Sequence, residues 1–241
     1  MRQIIAMGGG GFSMEPDNPL LDQYILNQSP EIKPKICFLP TASRDAEGYI
    51  EKFYQSFKTL SCIPFHLTME DLKKNETKEI LLEQDILYVG GGDTGWMLDF
   101  WREYGVDKWL ADAWEEGIIL AGLSAGAICW YEESLGEMQN HGYETLRGLG
   151  FLKGCYFPHF DTELEDREAF LKLVKDGQFP IGDVADDGVA FHYIDTKLHK
   201  IISSRLNAKG YQLSGSHMKE MSVNYLGGFS NEKNNLPGKA L

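Results

Sequence analysis

Short apolar runs alternate with segments of helical spacing along the first two-thirds of the chain. Gln3–Met7, Lys35–Leu39, Ile63–Leu67, Asp85–Val89 and 118–121 are each four or five residues long and mostly apolar. Separated by helical segments, such runs predict parallel strands covered on both faces. The helices between them are expected at 46–60, Gly95–Tyr104 and Val106–Glu116, with an earlier one capped by Asn18 and opened by Pro19. Beyond Tyr156 the pattern changes. Asp166–Lys175 still reads as a helix. Ile181–Val184, Val189–Tyr193, Leu198–Ser203, Gly210–Leu213 and Met218–Val223 instead read as short strands joined by turns. The predicted fold is therefore α/β and three-layered, a mostly parallel sheet flanked by helices with a short antiparallel C-terminal extension. Residues 1–229 are expected to form a single domain and 230–241, rich in Asn, Lys and Gly, a loosely held tail.

Glycine-rich turns follow three of these strands. Gly8–Gly11 comes after Met7, Gly90-Gly91-Gly92 after Val89, and Gly122-Leu123-Ser124-Ala125-Gly126 after Ala121. All three fall at the carboxyl ends of predicted strands, the edge where open α/β sheets build their sites. The third has the form of a nucleophile elbow, a sharp strand-to-helix turn that lifts a serine Oγ above the sheet. Ser124 is accordingly the candidate nucleophile, and the N–H of Ala125 a candidate oxyanion donor. A second donor is expected from the turn at Gly91 or Gly92, where glycine lets the backbone approach a reacting carbonyl.

A serine nucleophile needs a base and an acid that orients the base. Among six histidines, His159 stands at the end of the strand-like run Cys155–Pro158, at the expected site edge. His66, His192 and His199 fall within predicted strands, His141 in a polar loop and His217 near the C-terminal strand. The acid has several candidates. Glu137 follows the elbow helix, and Asp161 shares a face with His159 on an extended chain. Glu132, Glu133, Asp186 and Asp187 are further options. His159 follows Ser124 too soon for the α/β-hydrolase arrangement, whose intervening strand–helix units take about 30 residues each.

The net charge of −13, without a basic patch, argues against nucleic acid as a partner. No apolar run reaches the roughly 18 residues of a membrane span, and the N-terminal residues enter a strand at once, without the pattern of a signal peptide. Cys37, Cys62, Cys129 and Cys155 form no C-x-x-C pair, so they read as buried reduced thiols. These features together predict a cytoplasmic protein, monomeric or homodimeric. No metal-ligand cluster of the H-E-x-x-H type appears, and no metal or other cofactor is expected. Gly8–Gly11 lacks the third glycine of a dinucleotide fingerprint, so it is expected instead to line a substrate pocket.

Val89-Gly90-Gly91-Gly92-Asp93-Thr94, Gly122–Ala127 and Pro158-His159-Phe160, in that order, resemble the dipeptidase E and cyanophycinase family of serine peptidases. The resemblance implies a fold like that of class I glutamine amidotransferases, with serine in place of the nucleophilic cysteine. It implies Ser124 as nucleophile and His159 as base. The family's acid, commonly an aspartate after the elbow helix, is matched here by Glu137. Gly91 or Gly92 matches its oxyanion glycine. In the aspartyl dipeptidase branch an arginine after the histidine holds the substrate's P1 carboxylate, and Arg167 is the arginine in a comparable place, across a shorter loop. Arg167, Asp161 and Gly10 are the expected substrate contacts, and a small peptide is the expected substrate. A rival expectation is a catalytically inactive, peptidase-like ligand-binding protein.

Overall fold

The computed structural model describes residues 1–137 and 143–228. Its first five strands are β1 (Gln3–Met7), β2 (Lys35–Leu39), β3 (Ile63–His66), β4 (Ile86–Val89) and β5 (Ile119–Leu123), close to the predicted runs. They lie parallel in the order β1-β5-β4-β2-β3. Alternate residues serve opposite faces. Ile4, Ala6, Leu87, Val89 and Leu120 join one core cluster, whereas Ile5, Met7, Ile86, Tyr88 and Ala121 join the other.

Helices cover both faces. In chain order they are α1 (Gly11–Met14), α2 (Leu20–Leu26), α3 (Glu47–Phe57), α4 (Met69–Leu72), α5 (Thr77–Leu82), α6 (Thr94–Tyr104), α7 (Val106–Glu116), α8 (Ala125–Ile128) and α9 (Leu164–Lys175). The helix expected from Asn18 begins instead at Leu20, capped by Pro19. The Asn18 amide is taken up by the carbonyl of Ser204, 3.2 Å away.

The remaining strands are β6 (Tyr131–Glu137), β7 (Tyr143–Arg147), β8 (Leu152–Phe157), β9 (Ile181–Ala185), β10 (Val189–Ile194), β11 (Lys197–Ser203), β12 (Gly210–Ser214), β13 (His217–Glu220) and β14 (Asn224–Tyr225). They do not form one antiparallel extension. Strands β10 and β11 extend the first sheet antiparallel beside β1, and β14 follows parallel to β11. A second sheet in the order β13-β12-β9-β8-β6-β7 mixes parallel and antiparallel pairs. Its own apolar cluster includes Phe157, Phe170, Phe179 and Leu213. β6 carries three glutamates and has no apolar run, which hid it in the sequence.

The chain passes from the second sheet to the first through the turn 186–188, between β9 and β10. β10 runs antiparallel to β1, so its first residues meet the carboxyl end of β1. Ala190 pairs with Met7, Gly8 N–H donates to Val189 O at 2.9 Å, and Gly188 N–H donates to Gly9 O at 3.1 Å. The expected tail, 230–241, lies outside the described residues, as does His141.

Candidate active site

β5 ends at Leu123, and the chain turns at once into α8. Ser124 sits at the turn with φ 54° and ψ −119°, a positive-φ conformation that non-glycine residues avoid. Its N–H donates to Met7 O at 3.1 Å, and its carbonyl accepts from Ala127 and Ile128. The bend depends on close backbone approach. A β-carbon at Gly122 would strike Gly126 O, and one at Gly126 would strike Val89 O of the neighbouring strand. The side chain of Ser124 is partly exposed and borders two cavities.

His159 follows β8 and is also held at positive φ, 52°. Its carbonyl accepts the N–H groups of Thr162 and Glu163, and Phe160 N–H ties the loop to Ala185 O of β9. The imidazole lines the same cavity of about 500 Å³ as Ser124. Its Nδ1 lies 2.6 Å from Oδ1 of Asp187, whose side chain is only 2 % exposed. That bond leaves Nε2 as the ring nitrogen available to a reacting group.

Asp187 is held from three sides. Its backbone N–H donates to Asp161 Oδ1 at 2.8 Å, Thr162 Oγ1 donates to its Oδ2 at 3.3 Å, and the Arg205 guanidinium stands 3.7 Å from Oδ2. Burial works against its charge, but the His159 hydrogen bond, the charges of His159 and Arg205, and Thr162 together hold its pKa below the usual aspartate value. Burial likewise opposes charge on His159. The Asp187 hydrogen bond and the carboxylates of Glu163, Asp187 and Asp161 outweigh it, holding the imidazole pKa above its ordinary value of 6.5. Gly9 makes room for the pair, because a β-carbon there would meet Asp187 Oδ1 and the His159 ring.

Among the described residues, the carboxylate bonded to the histidine is that of Asp187, where Glu137 was expected. Glu137 ends β6 opposite Tyr143, and its side chain lies outside the described residues. Two of the other acids are engaged elsewhere: Glu132 accepts Gly154 N–H at 2.8 Å, and Asp186 accepts Lys209 N–H at 2.9 Å. Asp161, expected as a substrate contact, accepts the Asp187 N–H through its Oδ1. Gly10 leads into α1, where its N–H points at Met14 Sδ, and it borders neither cavity at Ser124. Arg167 likewise borders neither cavity. Its guanidinium lies over the Phe160 ring, 4.2 Å from the centroid, and donates to Phe160 O at 3.5 Å.

Three other histidines make contacts within the framework. His66 bonds Tyr54, and His192 bonds Tyr24 and Gln3 and meets His199 edge to face. Gly91 lies beside Ser124, but its N–H donates to the hydroxyl of Tyr49 at 3.1 Å. Among the described residues, the N–H groups of Gly92 and Ala125 have no acceptor. Tyr49 carried no signal in the sequence, because its contact with Gly91 depends on α3 packing beside the β4 turn. Among the described residues no three His, Cys, Asp or Glu side chains gather to hold a metal ion, and no helix is long and apolar enough to cross a membrane.

A family model for peptidase family S51 matches residues 4–201, a span that takes in Ser124, His159 and Asp187. The chain belongs to peptidase family S51. It is a serine-type peptidase. It is 46 % identical over 231 residues to the uncharacterized peptidase YgaJ of Bacillus subtilis, covering 94 % of this chain and all of that protein. The uncharacterized peptidase Lin0382 of Listeria innocua is 26 % identical over 138 residues, covering 53 % of this chain and 65 % of that protein. Two crystal structures share the fold. A peptidase from an acI-B1 actinobacterium superposes with a TM-score of 0.68 at 21 % identity, covering 92 % of this chain and 95 % of that one. A putative peptidase E from Listeria monocytogenes does so with a TM-score of 0.62 at 17 % identity, covering 83 % and 97 %. These relatives give the inactive ligand-binding expectation no support.

Proposed function

We propose that this peptidase hydrolyses small peptides through Ser124, His159 and Asp187. The observation that carries the reading is the His159–Asp187 bond, made by a ring that borders the same cavity as a serine on a strained elbow. Ser124 Oγ attacks the scissile carbonyl while Nε2 of His159 accepts the hydroxyl proton. Asp187 fixes the ring's tautomer and offsets the imidazolium charge. The N–H groups of Ala125 and Gly92 receive the oxyanion. Gly91 would join them only by giving up Tyr49. The imidazolium then passes its proton to the leaving amine, and water, deprotonated by the same ring, releases the acyl group from Ser124.

Proton return gives the substrate a direction. The leaving amine must lie near His159, so it occupies the 500 Å³ cavity, which Lys52 also borders. The acyl part then enters the second cavity, about 460 Å³, where the lining carboxylates are Asp93, Glu163 and Asp166. That field repels an acidic acyl residue and admits neutral or cationic ones. Asp166 is held by the Tyr143 hydroxyl at 2.7 Å. Arg167 is committed to Phe160, and among the described residues no arginine lines this cavity as a partner for an aspartyl side chain.

The test is a fluorophosphonate probe together with a dipeptide library, applied to wild type and Ser124→Ala in parallel. Labelling and turnover that vanish in the variant support the reading. Equal labelling of both proteins removes Ser124 as the nucleophile.

A further inference from the structure

Arg205 reaches the catalytic carboxylate through the oxygen that His159 does not use. It lies in the turn leaving β11, with its Nη1 3.7 Å from Asp187 Oδ2 and 4.0 Å from Asp161 Oδ2. Its Nε donates to Glu15 Oε1 at 2.7 Å, and the other oxygen of Glu15 accepts the Ser204 hydroxyl at 2.6 Å. Glu15 is largely enclosed and Asp187 almost fully so, with side-chain exposures of 13 % and 2 %. Charges so placed act on each other more strongly than solvent-exposed ones. The stem of Arg205 runs over Gly188, where a β-carbon would stand 2.8 Å from its Cγ. Glu15 directly follows α1, whose Ser13 and Met14 line the cavity assigned to the leaving group.

We propose that Arg205 is a positioning residue for peptide hydrolysis: bridging Glu15 and Asp187, it fixes the carboxylate that orients His159 and governs how readily the imidazole takes a proton. This rests on the Ser124–His159–Asp187 reading and extends it to a residue that touches neither nucleophile nor substrate. The charged groups acting on the imidazole are Asp187, Glu163 and Asp161. Arg205 faces Asp187, Asp161 and Glu15, while Asp186, nearby, is offset by Lys209 and Arg167. Protonating His159 adds a positive charge beside Arg205. Removing the arginine therefore eases protonation, whereas removing the negative charge of Glu15 hinders it.

The experiment follows the His159 imidazole by NMR titration in the Ser124→Ala background, alongside pH–rate profiles of the active protein. Arg205→Gln is expected to raise the midpoint by about half a pH unit or more, Glu15→Gln to lower it by a similar amount, and Arg205→Lys to stay near wild type. Opposite shifts in the two glutamine variants distinguish a charge effect from loosened packing, which moves kcat/KM equally at every pH. Midpoints that stay put in both variants overturn the proposal. Should Arg205→Gln fail to fold, Glu15→Gln and Arg205→Lys still decide, since an unmoved Glu15→Gln midpoint is equally fatal. The titration needs no turnover. A peptidase reading defeated by absent probe labelling is thus told apart from a failure of the Arg205 proposal.

Discussion

Nδ1 of His159 and Oδ1 of Asp187 lie 2.6 Å apart, although one follows a strand of the second sheet and the other opens a strand of the first. The bond therefore joins the two sheets at the site, and Gly9 is the position where the chain leaves room for it.

Replacing Asp187 by Asn keeps the shape of the side chain but removes the charge and permits the wrong imidazole tautomer. A fall in kcat of about 10³–10⁴ is expected, with the fold intact by circular dichroism. Glu137→Gln, by contrast, is expected to leave kcat within a few fold. Steady-state kinetics on both variants checks this, and the opposite ranking would return the role to Glu137.

The difference between those two acids shows what the sequence could convey. The bend at Ser124 was legible because an elbow is local: five consecutive residues mark both the turn and the serine placed on it. The place of His159 beside the Ser124 cavity was legible because it follows an apolar run. Asp187 was only one candidate among several, since its placement depends on β10 running antiparallel to β1. In a parallel strand the carboxyl end reaches the site, but in this antiparallel one the beginning does. The Asp186-Asp187-Gly188 turn before an apolar run was the available clue. The second sheet was hidden for a related reason, because β6 and β7 are too polar to announce themselves.

Gly9→Ala tests the packing behind the His159–Asp187 pair. The added methyl group would meet Asp187 Oδ1 and the His159 ring, so one of them must move. Misplacement of about 1 Å can cost on the order of 10²-fold in rate. The expected outcome is that loss in kcat/KM, with a wild-type oligomeric state and a Tm lowered by only a few degrees. A variant as active as wild type would mean that the pair has slack.

Asp22 should make stability depend on pH. It is buried, accepts the Tyr88 hydroxyl at 3.3 Å, and burial raises its pKa to about 7. An aspartate with a raised folded pKa keeps its proton in the native state while the unfolded chain loses it near pH 4. The native state thus binds more protons between about pH 4 and 7, and this contribution falls as pH rises through that window. Asp22→Asn, which cannot ionise, is expected to flatten the decline and to be more stable at pH 8, on the order of 2–4 kcal/mol. Urea unfolding at pH 5 and pH 8 measures it. Parallel pH dependence in both proteins would assign the effect to another group.

The charge of the acyl cavity makes the most direct statement about substrate. Asp93 caps α6 through the N–H of Trp96 and also meets Arg44, so part of its charge is already offset. Asp166 instead has a neutral partner, the Tyr143 hydroxyl. Matched dipeptides differing only in the first residue should therefore rank lysyl and leucyl above aspartyl in kcat/KM. Asp166→Asn should narrow that gap by weakening the repulsion, with kcat for the leucyl substrate little changed because the reacting atoms are untouched. Asp166→Lys should reverse the order between lysyl and aspartyl substrates. If aspartyl peptides instead prove best with wild type, and Asp166→Asn leaves the ranking alone, the acyl residue lies elsewhere and the direction assigned from His159 is wrong.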